Sequence, residues 1–373
     1  MSALASPMSL DLEITTRCNL RCRYCYHFES PGDVRKDLPA STWLAFFEEL
    51  RRCAVFNVCL CGGEPFLRED LDTLLDGIVR NRMRYSILSN GTMITAATAA
   101  LLAASGRCDG VQISIDGSIP STHDAFRGKG SFARAVHGIR TLMDHNIAVA
   151  VRVTVHRKNV GELEEIAGFL LEELALPDFS TNSASYMGLC RQNRELVCLT
   201  VPERMLAMKT LLRLEKKYPG RVSGTAGPLA EGRMWVEMTR ALRQGRDIVP
   251  GRGFLTGCGG PAQKLAVRAD GVITPCNQMN HIELGRIGRD DLLTIWHEHP
   301  ELLRLRKRHL IPLASFAFCR GCEYIPYCTG NCPALAYALT GETEHPSPDA
   351  CLRRFLQEGG SLAELEALDV DPA

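Results

Sequence analysis

The stretch Thr16-Arg17-Cys18-Asn19-Leu20-Arg21-Cys22-Arg23-Tyr24-Cys25-Tyr26 sets three cysteines at C-x3-C-x2-C spacing. It follows an alternating apolar run, Leu10, Leu12 and Ile14, which reads as a β-strand, so the cysteines occupy the loop at that strand's C-terminal end. Three thiolates can hold three irons of a [4Fe–4S] cube and leave the fourth without a protein ligand. An open metal position is what a catalytic site keeps and a structural site avoids. The competing reading is a structural zinc knuckle, which needs a fourth Cys or His at short range. His27 offers one, although C-x3-C-x2-C-x-H is not a usual zinc spacing.

Outward from this loop, 373 residues leave room for one large α/β domain and a smaller one. The 43 basic and 43 acidic residues cancel, so no overall field favours nucleic acid or an anionic membrane. No apolar run approaches the roughly 18 residues of a membrane span. Met1 to Pro7 lacks the basic-then-apolar pattern of a secretory signal. The expected location is the cytoplasm, where 16 cysteines point to metal rather than to disulfides.

The pattern downstream is β then α, repeated. Helices are expected from about Ser41 to Cys53, Glu69 to Val79, Ala96 to Ala104, Phe132 to Met143 and Leu163 to Leu174. Strands are expected at Val55 to Cys61, Tyr85 to Leu88, Gly110 to Ile115, Ala148 to Val155 and Phe179 to Met187. Six such units argue a parallel sheet with helices outside, either a partial (β/α)6 TIM-type barrel or a doubly wound sheet. The barrel is favoured because each unusual motif falls at or just beyond the C-terminal end of a different strand, the rim where barrel enzymes gather their sites. Long helices follow at about Thr200 to Tyr218 and Pro228 to Gln244, separated by a Gly/Pro-marked linker.

At Cys18, Cys22 and Cys25, with the aromatic Tyr24 before the third cysteine, the chain resembles the radical S-adenosylmethionine (radical SAM) enzymes. The resemblance implies an iron–sulfur cluster whose open iron chelates SAM, and a 5′-deoxyadenosyl radical that abstracts hydrogen. It implies that Gly62, Gly63 and Glu64 meet the SAM amino group. It further implies that Ser89 and Asn90, with Ser114 and Asp116, contact ribose or carboxylate. Arg152 would neutralise the carboxylate, and Met187 or Leu189 would give backbone contacts to adenine.

A second cysteine set runs Cys258, Cys276, Cys319, Cys322, Cys328, Cys332 and Cys351. One zinc ribbon plus spare thiols is the plain reading, but the full order resembles the SPASM domain, which holds two auxiliary clusters. The family's ligand crossing implies Cys258, Cys276 and Cys332 for the first and Cys319, Cys322, Cys328 and Cys351 for the second. The first then lacks a fourth thiol, and Cys190 and Cys198 are the available candidates. Cys53, Cys59, Cys61 and Cys108 read as buried small hydrophobes. The expected organisation is a radical SAM core over 8–218, a linker with a helix over 219–255, a SPASM domain over 256–356 and a tail over 357–373.

Enzymes of this architecture mostly modify peptides or proteins, which implies a radical SAM oxidoreductase forming a thioether, a C–C or C–O cross-link, or an epimer. Tetrapyrrole or other small-molecule cofactor maturation is an alternative, as is a non-enzymatic Fe–S electron carrier. A sulfatase-maturing oxidation is a further alternative, weakened because Asn277 follows Cys276 where that branch carries an Asp base. Implied partners are a peptide or protein substrate and an electron donor such as flavodoxin or ferredoxin. Only about fifteen residues precede the cysteine loop, so a separate leader-peptide-binding protein is the expected means of precursor recognition, unless the barrel mouth serves. The substrate, the bond formed and the oligomeric state are not legible.

Overall fold

Alternation along the strands fixes which side meets the helices. The computed structural model describes residues 4–30, 34, 36–246 and 249–368. Its strands are β1 (Ser9–Thr15), β2 (Asn57–Gly62), β3 (Arg84–Ser89), β4 (Cys108–Ser114), β5 (Val149–Val155) and β6 (Phe179–Ser183). Then come β7 (Val222–Ser223), β8 (Lys264–Val267), β9 (Val272–Thr274) and β10 (Gly285–Arg286). Leu10, Leu12 and Ile14 of β1 are fully buried under the helices, as are Val111 and Ile113 of β4 and Val151 and Val153 of β5. The opposite face carries polar groups: Cys59 interacts with Ser86, Asp11, Lys264 and Arg152, side chains from four other strands. Cys59 and Cys61 therefore face a polar interior, not the apolar setting expected of them.

The sheet order is β10-β9-β8-β1-β2-β3-β4-β5-β6-β7. β1 to β6 are parallel and sequential with helices between them, giving the partial barrel expected from the β-then-α repeat. Outside, the helix Ala40–Arg52 buries Trp43, Phe46, Phe47 and Leu50. The helix Leu71–Arg80 lies so close to it that a Cβ on Gly77 would fall 2.2 Å from a Leu44 methyl carbon.

Four differences from expectation matter. The region expected as linker supplies β7, parallel to β6, and the helix Pro228–Arg243 packs on the helix Val201–Lys217. The β8–β9 hairpin of the C-terminal region joins the barrel sheet, because β8 pairs in parallel with the free edge of β1. Leu163–Gly168 is α-helical, but the chain then widens into a π-helical turn, Phe169–Glu173. Finally, a helix absent from the sequence reading, Pro120–Arg127, sits between β4 and the helix Ser131–Asp144. In the tail, Ala363–Glu366 makes a single turn that buries Leu365. Residues 369–373 of that stretch lie outside the described residues. No described helix is long and apolar enough to cross a membrane.

Candidate active site

Backbone contacts from two strand ends clamp the cysteine loop. Gly63 N–H donates to Thr15 O at 2.8 Å and Glu64 N–H to Arg17 O at 2.7 Å. A Cβ on Gly63 would fall 2.1 Å from Arg17 O, and Gly62 holds φ at +121°. These glycines therefore admit the cysteine loop's own backbone. Beyond β6, Leu189 N–H donates to Cys25 O at 2.9 Å, and its carbonyl accepts from Asn193. A Cβ on Gly188, between Met187 and Leu189, would meet the carbonyls of Cys25, Tyr26 and Phe28. The Leu189 N–H, one of the backbone groups that Met187 or Leu189 was to offer adenine, is thus committed to the loop.

Cys18, Cys22 and Cys25 lie close enough to repel one another as thiolates. Burial first, and then Cys25 and Cys18, push the Cys22 thiol up to about 12 despite the attraction of Arg127. Several donors point at the sulfurs: Leu20 N–H to Cys18 Sγ at 3.4 Å, Asn90 Nδ2 to the same sulfur at 3.9 Å, and Arg127 Nη1 to Cys22 Sγ at 4.0 Å. His27 turns away from them, its Nδ1 3.6 Å from Glu13 Oε1. Among the described residues no three His, Cys, Asp or Glu side chains converge tightly enough to enclose a single ion. A four-iron cube spreads its thiolates over separate irons, so three grouped thiols with N–H donors aimed at sulfur fit such a group.

Behind the loop lies a buried cluster that the sequence reading missed. Asp116 is fully buried; Arg127 Nε meets its Oδ2 at 2.5 Å, the Tyr24 hydroxyl donates to the same oxygen, and Thr154 N–H donates to Oδ1 at 2.9 Å. Asn159 Nδ2 donates to the Asp116 carbonyl at 2.9 Å. Asp116 was expected to touch SAM. Its carboxylate is instead spent on Tyr24, Arg127 and Thr154, because a buried carboxylate must be paired. Tyr24, the aromatic beside Cys25, stacks near Phe126 and His156.

Glu64 is also fully buried. It accepts from Ser89 Oγ and Asn90 N–H, both at 2.8 Å, and from Phe66 N–H at 3.3 Å. Burial outweighs these donors and raises its carboxyl to about 7. Asn90 in turn donates to Asn19 Oδ1 at 2.9 Å and so reaches the cysteine loop. Glu64, Ser89 and Asn90 form one hydrogen-bonded node. Ser114 and Arg152 are register partners on β4 and β5. Half-buried Arg152 makes one long hydrogen bond, Nε to Ser180 Oγ at 3.3 Å, feels Cys59, and has no ion-pair partner among the described residues.

The seven C-terminal cysteines separate into two groups. Cys276 feels Cys332 and Cys258, which together with burial push its thiol up to about 12. Cys319 feels Cys328, Cys351 and Cys322, and all four line one recess of about 410 Å³. Gly260 N–H points at Cys258 Sγ and Gly330 N–H at Cys328 Sγ, at 3.3 and 3.4 Å. These donor sets fit iron–sulfur clusters for the same reason as the first. Cys190 and Cys198 hydrogen-bond to each other, which raises the Cys190 thiol and lowers that of Cys198.

Comparison with known proteins agrees with this geometry. The radical SAM superfamily matches residues 12–170, and the SPASM iron–sulfur cluster-binding domain matches residues 258–323. The chain carries a radical SAM domain followed by a SPASM domain. Pre-heme d1 synthase of Dinoroseobacter shibae is 27% identical over 370 residues, covering 96% of this chain and 89% of that protein. PqqA peptide cyclase of Rhizobium meliloti is 25% identical over 366 residues, covering 97% and 91%. The solved structure of Streptococcus suis SuiB bound to precursor peptide SuiA superposes with a TM-score of 0.71. It is 17% identical and covers 94% of this chain and 77% of that one, a likeness of fold.

In this radical SAM/SPASM chain a groove of about 1750 Å³ runs from Arg152 and Asn182 on the barrel to Gln278, Asn331 and Cys332 in the C-terminal region. Its wall is braced by Arg204, which pairs with Glu231 at 2.7 Å and stacks over Trp235 at 4.9 Å. Asn277 donates to the Tyr26 hydroxyl at 3.3 Å and so ties the SPASM region to the cysteine loop. Arg127, Asn159 and Asn19 escaped notice because polar residues in apparent loops carry no periodic signal. The spacing of Phe126 and Arg127 from Thr122 and His123, a repeat of about four residues, was the available clue.

Proposed function

We propose that this enzyme is a peptide maturase, forming a thioether, a C–C or C–O cross-link, or an epimer within a ribosomally made peptide or protein. Cys18, Cys22 and Cys25 would hold the SAM-binding cluster, and the two C-terminal groups would hold two auxiliary [4Fe–4S] clusters. When bound, the first cluster and SAM supply a 5′-deoxyadenosyl radical that abstracts a hydrogen atom. Glu64, Ser89 and Asn90 keep the loop in place, Arg152 would pair with the SAM carboxylate, and the groove wall would exclude water around the reacting residue. The observation that carries this reading is the groove, which is lined by both regions of the chain and joins the Arg152 end to Cys332. Relatives named as a peptide cyclase and a precursor-bound fold neighbour support it.

A cytoplasmic setting, a flavodoxin or ferredoxin as electron donor and a separate leader-binding protein belong to the same proposal. Tetrapyrrole modification is the second reading. It is favoured by the match along the chain to pre-heme d1 synthase and by Arg152 and Arg252 in the groove, which could pair with propionates. Reconstituted enzyme would be incubated anaerobically with SAM, a reductant and either a short peptide encoded beside its gene or a tetrapyrrole. A mass change in the peptide supports the first reading. Turnover of tetrapyrrole alone would replace it with the second.

A further inference from the structure

Arg308 is buried to 3% exposure, yet its Nε and Nη2 have no hydrogen-bond partner among the described residues. An unpaired buried guanidinium is costly, and native proteins seldom leave one without an anion. Its neighbour Arg306 pairs two of its three nitrogens with protein groups: Nε donates to Pro261 O at 2.9 Å and Nη1 to Trp296 O, the guanidinium lies 4.1 Å over the Trp296 ring, and Nη2 alone lacks a partner among the described residues. Arg308 shares a recess with Cys258, and the anionic groups that act on it are the sulfurs of Cys332 and Cys258 and the Glu344 carboxylate. Glu344 is already held by Arg304 at 2.9 Å. The free N–H groups of Arg308 thus belong to the recess that Cys258 lines.

We propose that Arg308 is the charge partner of the iron–sulfur cluster held by Cys258, Cys276 and Cys332, and that it raises that cluster's reduction potential. The inference rests on the reading that these three cysteines carry a cluster. Thiolates and sulfides leave a [4Fe–4S] cube net anionic, and one-electron reduction by a low-potential donor adds one more negative charge beside the guanidinium. A fixed cation stabilises the reduced form over the oxidised one, and hydrogen bonds to sulfur act in the same direction. Among the described residues the cation that lines the recess of the second group is Arg353, which is only half-buried and donates to the backbone carbonyls of Arg320 and Phe318. The two auxiliary clusters would then differ in potential, with the one beside the groove easier to reduce.

The test uses the full chain in a Cys18→Ala/Cys22→Ala/Cys25→Ala background, so that only the auxiliary clusters remain after anaerobic reconstitution with iron and sulfide. Iron content and a dithionite titration followed by electron paramagnetic resonance would be compared for this protein and its Arg308→Met and Arg308→Lys versions. Arg308→Met should shift one cluster at least tenfold in its one-electron equilibrium toward the oxidised form, about 59 mV more negative. Arg308→Lys should keep the original value, and the second cluster should not move. Loss of about four irons with Met but not with Lys would equally support a required charge. Unchanged potentials with Met, equal shifts in both clusters, or iron loss with both substitutions would overturn the proposal. If adding Cys258→Ala leaves iron and spectra unchanged, the underlying cluster reading fails instead.

Discussion

Arg127 Nε meets the Asp116 carboxylate at 2.5 Å, and neither side chain is open to solvent. The pair stands behind the cysteine loop: Asp116 accepts from Tyr24, and Arg127 reaches toward Cys22 Sγ. Breaking a buried pair from one side strands the other charge and costs about 3–5 kcal/mol, whereas removing both charges together is far milder. Arg127→Met should therefore destabilise metal-free protein by that amount in urea unfolding. Arg127→Met/Asp116→Leu should recover much of the loss. Equal losses in the single and double variants would mean that packing, not charge, is what Arg127 contributes.

The same pair predicts acid sensitivity. Burial alone would push the Asp116 carboxyl up, but attraction from Arg127 and then His156 outweighs it and holds the group at about 2. An unfolded aspartate titrates near 3.9. The folded value is the lower one, so the stabilisation is present above about pH 4 and is lost as pH falls from there through about 2. Stability of metal-free protein measured across that window should fall more steeply in wild type than in Asp116→Asn. Parallel curves would remove Asp116 from the cause.

Much of this was legible because it is local. Period-two alternation in β1 and β5 and the cysteine spacings each live within a few residues. The rest depends on contacts between distant segments. Asp116-Gly117 reads as a turn dipeptide, and nothing near it says that Arg127 will fold back onto it. The helix Pro120–Arg127 hides its character by burying Thr122, His123 and Arg127 rather than aliphatic residues. The parallel docking of β8 on β1 joins residues 253 positions apart, as in the ion pair Lys264–Asp11. No sequence window spans that.

Gly63 gives a prediction with an internal control. A Cβ there would collide with the Arg17 carbonyl, which is backbone and cannot swing aside, whereas a Cβ on Gly161 meets nothing within 4 Å. Gly63→Ala should displace the cysteine loop and reduce iron by about four per chain, the loss also expected of the Cys18/Cys22/Cys25 triple alanine variant. Gly161→Ala should keep its iron. Iron and sulfide analysis of folded, reconstituted protein checks both, and full iron in Gly63→Ala would show that the loop tolerates the shift.

Arg152 tests the placement of SAM. It is a half-buried cation with a single long hydrogen bond to Ser180, so truncation disturbs little else. A charge-assisted hydrogen bond contributes about 1.5–3 kcal/mol, so Arg152→Ala should weaken SAM binding by roughly 10- to 150-fold in equilibrium dialysis. Arg152→Lys should fall between, since it keeps the charge without the planar fork. Unaltered affinity in both would put the SAM carboxylate on another strand.

Cys190 and Cys198 are the free thiols expected as candidates to close the first auxiliary cluster. Cys190 is fully buried among Tyr24, Phe126 and Val197, and its hydrogen-bond partner is Cys198. The thiols that act on Cys276 are Cys332 and Cys258, with neither member of the Cys190–Cys198 pair among them. Cys198 borders the groove that Cys332 also borders, so only a movement of its segment could bring its sulfur to that cluster. Such a movement would break the Cys190–Cys198 bond and expose Cys190, an apolar loss on top of a lost hydrogen bond. Cys190→Ala and Cys198→Ala should therefore each retain about twelve irons and leave the spectra of both auxiliary clusters unchanged. An altered spectrum in Cys198→Ala alone, with the second cluster unaffected, would show that this thiol is the fourth ligand and that the site beside the groove is closed to substrate.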